Sequence, residues 1–343
     1  MAFVFIPMDN VFFSFVIPVY NRPDEIKELL DSLATQEYDK AFEVVLVEDG
    51  STNRSQEVAK AFQDKLQISY YYKGNSGPGD SRNYGMQRAK GNYFIILDSD
   101  CIVPPNYLEQ VEKALNDEYV HCFGGPDTAH ASFTIVQKAI NHAMTSFLTT
   151  GGIRGGKNAI DKFQPRSFNM GISKEVFEAT GGFGTIHPGE DPDLTFRIWE
   201  KGYSTRLFPK AKVYHKRRID WVKFYTQVNK FGLVRPILNK WHPNTSRLTY
   251  WFPSVFSIGF LVSGILYSLG APLFLYLYGI YFTLLFFDAW FKNKSLVIAI
   301  LSIFAAIIQF LGYGIGFIKS TFVLNFNNKP AEELFPNLFF TKK

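Results

Sequence analysis

Two acidic residues at the end of an apolar segment are the first candidates for chemistry. Asp98 and Asp100 flank Ser99 directly after the apolar segment Tyr93–Leu97. If that segment is a parallel strand, both carboxylates lie at the sheet edge where such folds bind ligands. Mg²⁺ and Mn²⁺ prefer oxygen ligands and often share them with substrate phosphates. The pattern therefore predicts a divalent-cation site, although a bare Asp-x-Asp also occurs by chance in solvated turns.

A glycine-bearing segment precedes this acidic pair. It runs from Asn75 to Gly85 and carries Gly77 and Arg82 at the start of a predicted helix. Backbone amides at a helix start and an arginine side chain both suit a diphosphate group. Taken alone, the segment is equally compatible with a loop followed by a solvated arginine.

Short β-rich segments alternate with helical patterns and position these groups. The strand candidates are Phe12–Pro18, Phe42–Val47, Ile68–Tyr72 and Tyr93–Leu97. Between the first two, Pro23 opens a helix in which Ile26, Leu29, Leu30 and Leu33 recur at helical spacing. This order predicts an α/β fold with a mostly parallel sheet, and ligands at the carboxyl ends of its strands.

A series of short motifs follows in a fixed order along residues 12–215. The motifs are Val16-Ile17-Pro18-Val19-Tyr20-Asn21, Val47-Glu48-Asp49-Gly50-Ser51, Asn75-x-Gly77, Ser81-Arg82-Asn83-x-Gly85, Leu97-Asp98-Ser99-Asp100, Asn169-Met170-Gly171, Gly181-Gly182-Phe183, Gly189-Glu190-Asp191-Pro192-Asp193-Leu194 and Val213-Tyr214-His215. Each motif is weak, but the ordered set resembles glycosyltransferase family 2. The resemblance implies a Rossmann-like GT-A fold and an inverting sugar transfer.

The same resemblance implies a nucleotide-sugar donor and a metal ion. The positions matching the family's donor site are Pro18, Tyr20, Asn21, Asp49, Ser51, Gly77, Arg82, Asp98 and Ser99. Asp98 and Asp100 would hold Mg²⁺ or Mn²⁺, with His215 as a third ligand; alternatively, His215 is a surface side chain among basic residues. The Asp49 position suits the imide N–H of uracil, which favours a UDP-sugar over GDP or dTDP.

Glu190 and Asp191 match the family's acceptor-activating pair. Inversion at the anomeric carbon needs one base near the acceptor hydroxyl, and we assign that role to Asp191. The alternative is a structural network at a helix start, because acidic residues are favoured in the first helical turn.

Two further motifs complete the resemblance. Asn169, Met170 and Gly171 would face the donor sugar or the acceptor. Gln227, Lys230, Phe231 and Arg235 resemble the interfacial Gln-x-x-Arg-aromatic motif of membrane polysaccharide synthases. Lysine lacks the planar fork of the arginine that it replaces there, which argues against processive synthesis; an anchoring role is the alternative.

The charge distribution separates a membrane part from the rest. The 343 residues carry a net charge of +5, but residues 206–247 hold eleven Lys or Arg and one acid. No charged residue occurs at 248–287 or 295–318. We call residues 206–247 the basic collar and expect it to contact anionic lipid headgroups rather than nucleic acid, because it directly precedes the apolar segments.

The apolar segments predict membrane spans at about Phe252–Leu269, Pro272–Trp290 and Leu296–Ile318. With the basic collar cytoplasmic, the first two form a hairpin and the C-terminus lies outside; a re-entrant hairpin is the alternative. The expected location is the cytoplasmic membrane, multi-pass, with a cytoplasmic catalytic domain. The expected division is 1–218 catalytic (12–100 nucleotide-binding half, 101–218 acceptor half), 219–250 amphipathic interface, 251–319 transmembrane and 320–343 tail.

The termini and the cysteines add little. The N-terminal segment lacks a basic start and is interrupted by Asp9 and Asn10, so we expect no cleaved signal peptide. Cys101 and Cys122 are too few for a disulfide framework and lack metal-ligand spacing.

These features predict a membrane-anchored enzyme that transfers one sugar to a membrane-associated, lipid-linked glycan. Three alternatives remain open: a polyprenyl-phosphate glycosyltransferase, a processive polysaccharide synthase and a non-catalytic sugar-nucleotide-binding scaffold. Asp191 argues against the first, because an ionised phosphate acceptor needs no strong base. The sugar, the linkage and the oligomeric state are not encoded in any motif.

Overall fold

The computed structural model describes residues 11–128, 133–151, 162–215 and 220–340. The chain forms two compact units. We call Met1–His130, Asp161–Lys216 and Phe340–Lys343 the sheet unit, and Ala131–Ile160 and Arg217–Phe339 the helical unit. The N-terminal segment around Asp9 and the basic residues 216–218 of the collar lie outside the described residues.

The sheet unit contains all ten described strands. They are β1 (Phe13–Val19), β2 (Glu43–Asp49), β3 (Gln67–Lys73), β4 (Tyr93–Leu97), β5 (Cys101–Ile102), β6 (Cys122–Gly124), β7 (Asp127–Thr128), β8 (Asn169–Ser173), β9 (Thr205–Leu207) and β10 (Val213–His215). The helices of both units, in chain order, are α1 (Pro23–Leu33), α2 (Gln56–Ala61), α3 (Pro78–Arg88), α4 (Tyr107–Asp117), α5 (Ile135–Thr145), α6 (Phe147–Thr150), α7 (Lys174–Thr180), α8 (Glu190–Glu200), α9 (Trp221–Trp241), α10 (Phe252–Ser268), α11 (Leu273–Asn293), α12 (Leu296–Asn325) and α13 (Ala331–Leu334).

The large sheet has the strand order β3-β2-β1-β4-β8-β6-β9. β1 pairs in parallel with β2 and β4, and β2 pairs in parallel with β3. β8 runs antiparallel to both β4 and β6. The carboxyl ends of β1, β2 and β4 therefore meet at one edge, which is the edge that the sequence predicts for ligand binding.

The four predicted strands and the predicted first helix are confirmed, with strand ends displaced by at most two residues. β2 and β4 are buried along their whole lengths, as strands covered on both faces must be. α1 begins at Pro23 and buries Ile26, Leu29 and Leu33, the apolar positions at helical spacing.

A small sheet of β5, β10 and β7 lies next to the end of β4. β10 pairs antiparallel with β5, so that His215 is opposite Cys101. This pairing brings a histidine from late in the chain to the Asp98–Asp100 turn.

Within its described residues, the helical unit holds three helices long and apolar enough to cross a membrane: Leu248–Ser268, Leu273–Asn293 and Leu296–Asn325. The first includes a 3-10 turn before α10. All three predicted apolar segments therefore form helices, and α12 continues seven residues past the predicted end at Ile318. At 1.5 Å per residue, α12 is about 45 Å long, which exceeds the ~30 Å of a hydrocarbon core.

α9 packs closely along α12 through glycines. A side chain at Gly232 would collide with the Tyr313 carbonyl, and one at Gly316 with the Asn229 carbonyl. Small residues allow two helix backbones to approach in this way. The sequence predicted a helix here, and its position in the headgroup layer stays a prediction.

The segment containing α5 and α6 belongs to the helical unit, whereas the sequence-based division placed it in the acceptor half of the catalytic domain. The physical reason is its apolar face. Ile140, Ala143 and Met144 form one buried cluster with Phe224 of α9 and Ala305 of α12.

Candidate functional site

The ends of β1 and β2 are joined by side chains that the sequence assigned to the donor. The Asn21 N–H donates to Ser51 Oγ at 2.7 Å, and Asn21 Oδ1 accepts from the Thr52 and Asn53 amides at 2.9 Å. Asn21 has a positive φ of 54°, a conformation that asparagine tolerates better than most residues. Pro18 is half-buried next to this turn and Tyr20 is exposed. The Tyr20 ring is therefore accessible to a ligand at this edge.

Asp49, at the end of β2, is buried and holds the glycine-bearing segment. Its two oxygens accept from the amides of Ser76 and Gly77, both at 2.9 Å, and from Lys73 Nζ at 2.6 Å. Gly77 has a φ of 94°, which favours glycine. In this structure, the carboxylate that was predicted to bind the nucleotide base fixes the loop before α3.

Arg82 on α3 is buried between two carboxylates. Its Nη2 lies 2.8 Å from Asp98 Oδ1 and its Nη1 lies 3.3 Å from Glu190 Oε1. Its guanidinium also lies over the Phe183 ring at 5.2 Å. Through these two ion pairs, Arg82 links the end of β4 to α8, and Asp98 and Glu190 balance its charge. The contact of Arg82 with a diphosphate stays a prediction. Ser99 beside Asp98 is buried.

Asp100 contacts a different pair of side chains. Its carboxylate lies 2.9 Å from Arg22 Nη1 and 3.0 Å from His215 Nε2. Burial alone would raise the pKa of Asp100, but His215 and Arg22 lower it to about 2. The structure therefore brings the predicted Asp100 and His215 together, while Asp98 turns towards Arg82.

The side chains around Asp100 form a candidate metal site. Among the described residues, one candidate cluster contains Asp100, Cys101 and His215, with ligand atoms within 4.8 Å of one another. Burial raises the pKa of the Cys101 thiol well above its usual range. Because Mg²⁺ and Mn²⁺ prefer oxygen ligands to thiolates, Cys101 is the least suitable member of the cluster. A carboxylate facing an imidazole nitrogen, with Asp98 nearby in sequence, fits Mn²⁺ or Mg²⁺.

Glu190 and Asp191 begin α8, and their environments differ. Glu190 is buried, 3.0 Å from His187 Nδ1. Burial would raise the pKa of Glu190, but His187 and then Arg82 lower it to about 2. Burial and then the charge of Glu190 raise the pKa of Asp191 to about 6.

The hydrogen bonds of Asp191 are incomplete. Its Oδ2 accepts from the Ser167 amide at 3.2 Å. Its Oδ1 is shielded from solvent and has no hydrogen-bond partner among the described residues. A carboxylate with a pKa near 6 is ionised at neutral pH and is still basic enough to accept a proton.

Asn169, Met170 and Gly171, which the sequence assigned to the donor sugar or the acceptor, are occupied by contacts within the sheet unit. Asn169 is fully buried: its Oδ1 accepts from the Tyr107 hydroxyl at 2.6 Å, and its Nδ2 donates to the Ala211 carbonyl at 2.8 Å. Met170 is a core residue, and a side chain at Gly171 would collide with the Phe123 ring. In this structure, all three residues contact neighbouring parts of the sheet unit, and their role towards the donor sugar or the acceptor stays a prediction.

Gln227, Lys230, Phe231 and Arg235 lie on α9 in the helical unit. Phe231 packs against the cluster that joins α5, α9 and α12, and the Arg235 guanidinium lies 4.4 Å from the centre of the Tyr250 ring. These contacts are those of an anchored helix, and a role in donor or acceptor binding stays a prediction.

Sequence analysis missed two side chains at the site, Arg22 and His187. Arg22 directly follows Asn21 at the end of β1, so its position next to a strand end was the available signal. His187 lies three residues before Glu190, but nothing in that spacing indicated their contact across the turn before α8.

The comparisons with known proteins agree with this fold. Residues 14–180 match the family model described as Glycosyl transferase family 2. An uncharacterized glycosyltransferase of Rickettsia typhi is 39% identical over 114 residues, which is 32% of this chain and 35% of that protein. The poly(ribitol-phosphate) beta-N-acetylglucosaminyltransferase TarS of Staphylococcus aureus is 33% identical over 110 residues, 31% of this chain and 19% of TarS. The matches thus span about a third or less of each relative.

A solved structure extends the similarity to most of the chain. The mannosyltransferase PcManGT from Pyrobaculum calidifontis, in complex with GDP-Man and Mn²⁺, has a TM-score of 0.52 at 18% identity. The alignment covers 87% of this chain and 86% of PcManGT. At this identity the similarity concerns the fold, and it agrees with the mostly parallel sheet described above. Residues 14–180 thus match glycosyltransferase family 2, and the fold of the chain is similar to the GT-A fold.

Proposed function

We propose that the protein is a membrane-anchored, inverting glycosyltransferase that transfers a single sugar from a nucleotide-diphosphate sugar to a hydroxyl of a lipid-linked glycan. The observation that carries this proposal is Asp191, whose shielded Oδ1 has no partner among the described residues. Its pKa of about 6 makes it a suitable general base.

Asp191 acts in one step of the proposed reaction. Its carboxylate accepts the proton of the acceptor hydroxyl while the oxygen attacks the anomeric carbon from the face opposite the leaving group. The bond from that carbon to the nucleoside diphosphate breaks, and the configuration inverts. Glu190 remains ionised beside Asp191, and its negative charge keeps the pKa of Asp191 high.

The donor assignment is supported by the edge at which β1, β2 and β4 end. Tyr20 is exposed there, and Asn21 and Ser51 join two of the strand ends. PcManGT is described with GDP-Man, and TarS is named as an N-acetylglucosaminyltransferase. The preference for UDP rested on an open Asp49 carboxylate. Because that carboxylate already binds the loop before α3, the donor panel below must include both UDP-sugars and GDP-sugars.

Asp100 and His215 would hold the divalent cation, with Asp98 as a neighbouring carboxylate. When bound, the cation offsets the negative charge of the departing diphosphate. Arg22, which contacts Asp100, adds a positive charge at the same position. The position of Arg22 beside Asp100 supports a place where negative charge on the donor is balanced.

The membrane anchor comprises the three long apolar helices. The proposed orientation places the basic collar and the sheet unit on the cytoplasmic side, since cytoplasmic flanks of membrane spans are rich in Lys and Arg. This anchor supports a membrane-associated acceptor, because an enzyme restricted to a membrane meets lipid-linked substrates in two dimensions.

The test is a donor screen with the full chain in detergent or nanodiscs. The protein is incubated with Mn²⁺ or Mg²⁺, a membrane lipid extract and a panel of UDP-, GDP- and dTDP-sugars, and released nucleoside diphosphate is measured. We expect one donor to give release that depends on the lipid extract. If no donor is bound or turned over, the proposal is wrong; binding without turnover supports the non-catalytic scaffold.

A further inference from the structure

The turn before α8 holds a histidine against the acceptor-activating pair. His187 Nδ1 lies 3.0 Å from Glu190 Oε1, and Arg82 Nη1 reaches the same oxygen at 3.3 Å from the other element, α3. The Glu190 side chain is 8% exposed and the His187 side chain 41% exposed. Glu190 is thus a buried carboxylate that depends on two cationic or donor groups.

Phe340, which is distant from His187 in the sequence, packs against that histidine. The Phe340 N–H donates to the Thr185 carbonyl at 3.0 Å, and the Phe340 ring centre lies 5.7 Å from that of His187. The same ring lies next to Gly77, where any Cβ would collide with it. Phe340 therefore fills the space between the loop before α3 and the turn that carries His187.

We propose that His187 is a positioning residue for Asp191: it holds Glu190 charged and in place beside Asp191, and Phe340 keeps the imidazole in that position. This inference rests on the proposed function, because it concerns the strength of the proposed base. His187 itself touches no reacting atom.

The charged groups around Glu190 and Asp191 determine in which direction the loss of His187 shifts the pKa of each carboxyl group. Arg82 faces both carboxylates from α3, Arg166 faces Asp191 from the segment before β8, and His187 faces Glu190 from the turn before α8. Asp98 balances part of the Arg82 charge. His187 contributes more than Arg82 to lowering the pKa of Glu190.

Removal of His187 therefore weakens the base. Glu190 loses its main partner and, because it is buried, takes up a proton more readily. A neutral Glu190 no longer raises the pKa of Asp191, so the pKa of Asp191 falls towards its usual value. Asparagine at position 187 keeps a nitrogen donor at the place of Nδ1, whereas alanine keeps none.

The experiment compares full-chain variants in nanodiscs, with the donor and acceptor identified by the screen. His187→Ala, His187→Asn and Phe340→Ala are assayed for kcat, for KM of the donor and for the pH profile of kcat/KM. His121→Ala is the matched control, since His121 also contacts a glutamate, Glu175, at the other end of the sheet. Phe326→Ala is the control for Phe340, because Phe326 is exposed at the end of α12.

We expect His187→Ala to lower kcat about tenfold and to move the acidic limb of the profile to lower pH, with the donor KM unchanged. His187→Asn should restore most of the activity and the position of the limb. Phe340→Ala should shift the limb in the same direction by a smaller amount, and both controls should behave as the wild type. Thermal melting of each variant identifies any loss of fold.

Three results overturn the inference while the proposed function stands: an unchanged acidic limb in a folded, less active His187→Ala; failure of His187→Asn to restore the limb; or an equal shift in the His121→Ala control. If the wild type transfers no sugar, the proposed function fails first and the inference fails with it. The wild-type assay therefore distinguishes the two failures.

Discussion

The charge of Glu190 should determine the position of the acidic limb in the pH profile of the enzyme. The pKa of Asp191 rises from 3.8 to about 6, with burial as the larger cause and Glu190 as the second. Two units correspond to about 3 kcal/mol, because one unit is about 1.36 kcal/mol. Glu190 is the second cause of this rise after burial, because a like charge beside a carboxyl group disfavours its ionised form.

Glu190→Gln removes this charge and keeps the shape of the side chain. We expect the acidic limb of kcat/KM to move to lower pH by less than about two units, because the carboxylate of Asp191 is then easier to ionise. On the plateau above the limb, the rate should fall roughly three- to tenfold, because the base is weaker. The assay is release of nucleoside diphosphate between pH 4.5 and 8.5 at saturating metal.

Glu175→Gln provides the matched control. Glu175 lies in the first turn of α7 and accepts a hydrogen bond from the Tyr203 hydroxyl at 2.9 Å, away from Asp191. This variant should leave the limb in place. An unmoved or upward-shifted limb in a folded Glu190→Gln would refute the assignment of Asp191 as a base tuned by Glu190.

Two further predictions concern the metal and the sheet. His215→Ala should weaken Mn²⁺ binding roughly tenfold or more, because one of the two side chains proposed to hold the cation, Asp100 and His215, is lost. The measurement is electron paramagnetic resonance of free Mn²⁺, and unchanged binding would exclude His215 from the site. Asn169→Ala should lower the free energy of unfolding by about 2–4 kcal/mol in a denaturant titration, because the Tyr107 hydroxyl and the Ala211 carbonyl lose their partners; a stable variant with a raised donor KM would instead restore Asn169 to the sugar site.

The parallel half of the sheet could be predicted because its strands are short apolar segments separated by polar turns. In β4, the apolar segment ends at the acidic pair, so the sequence indicates both the strand and the edge that is predicted to bind the ligand. α1 is similarly marked by Pro23 and by apolar residues at helical spacing. The three long apolar helices follow from stretches without charge.

The partners of the site residues could not be predicted, because they are set by tertiary contacts. Arg82 and Glu190 lie 108 residues apart, and nothing in either motif shows that they meet. Asn169 and Gly171 illustrate the opposite problem. Polar and small residues within a motif suggest a ligand, but here they satisfy a buried tyrosine and make room for Phe123.

The most direct test of the account is the transfer activity of Asp191→Asn. Asparagine keeps the size of the side chain and cannot accept the hydroxyl proton. We expect nucleoside diphosphate release with a hydroxyl acceptor to fall by about 10²- to 10⁴-fold, while donor binding stays at the wild-type level. Substantial transfer by the folded variant would contradict the general-base assignment and would favour an acceptor that is already ionised, such as a polyprenyl phosphate.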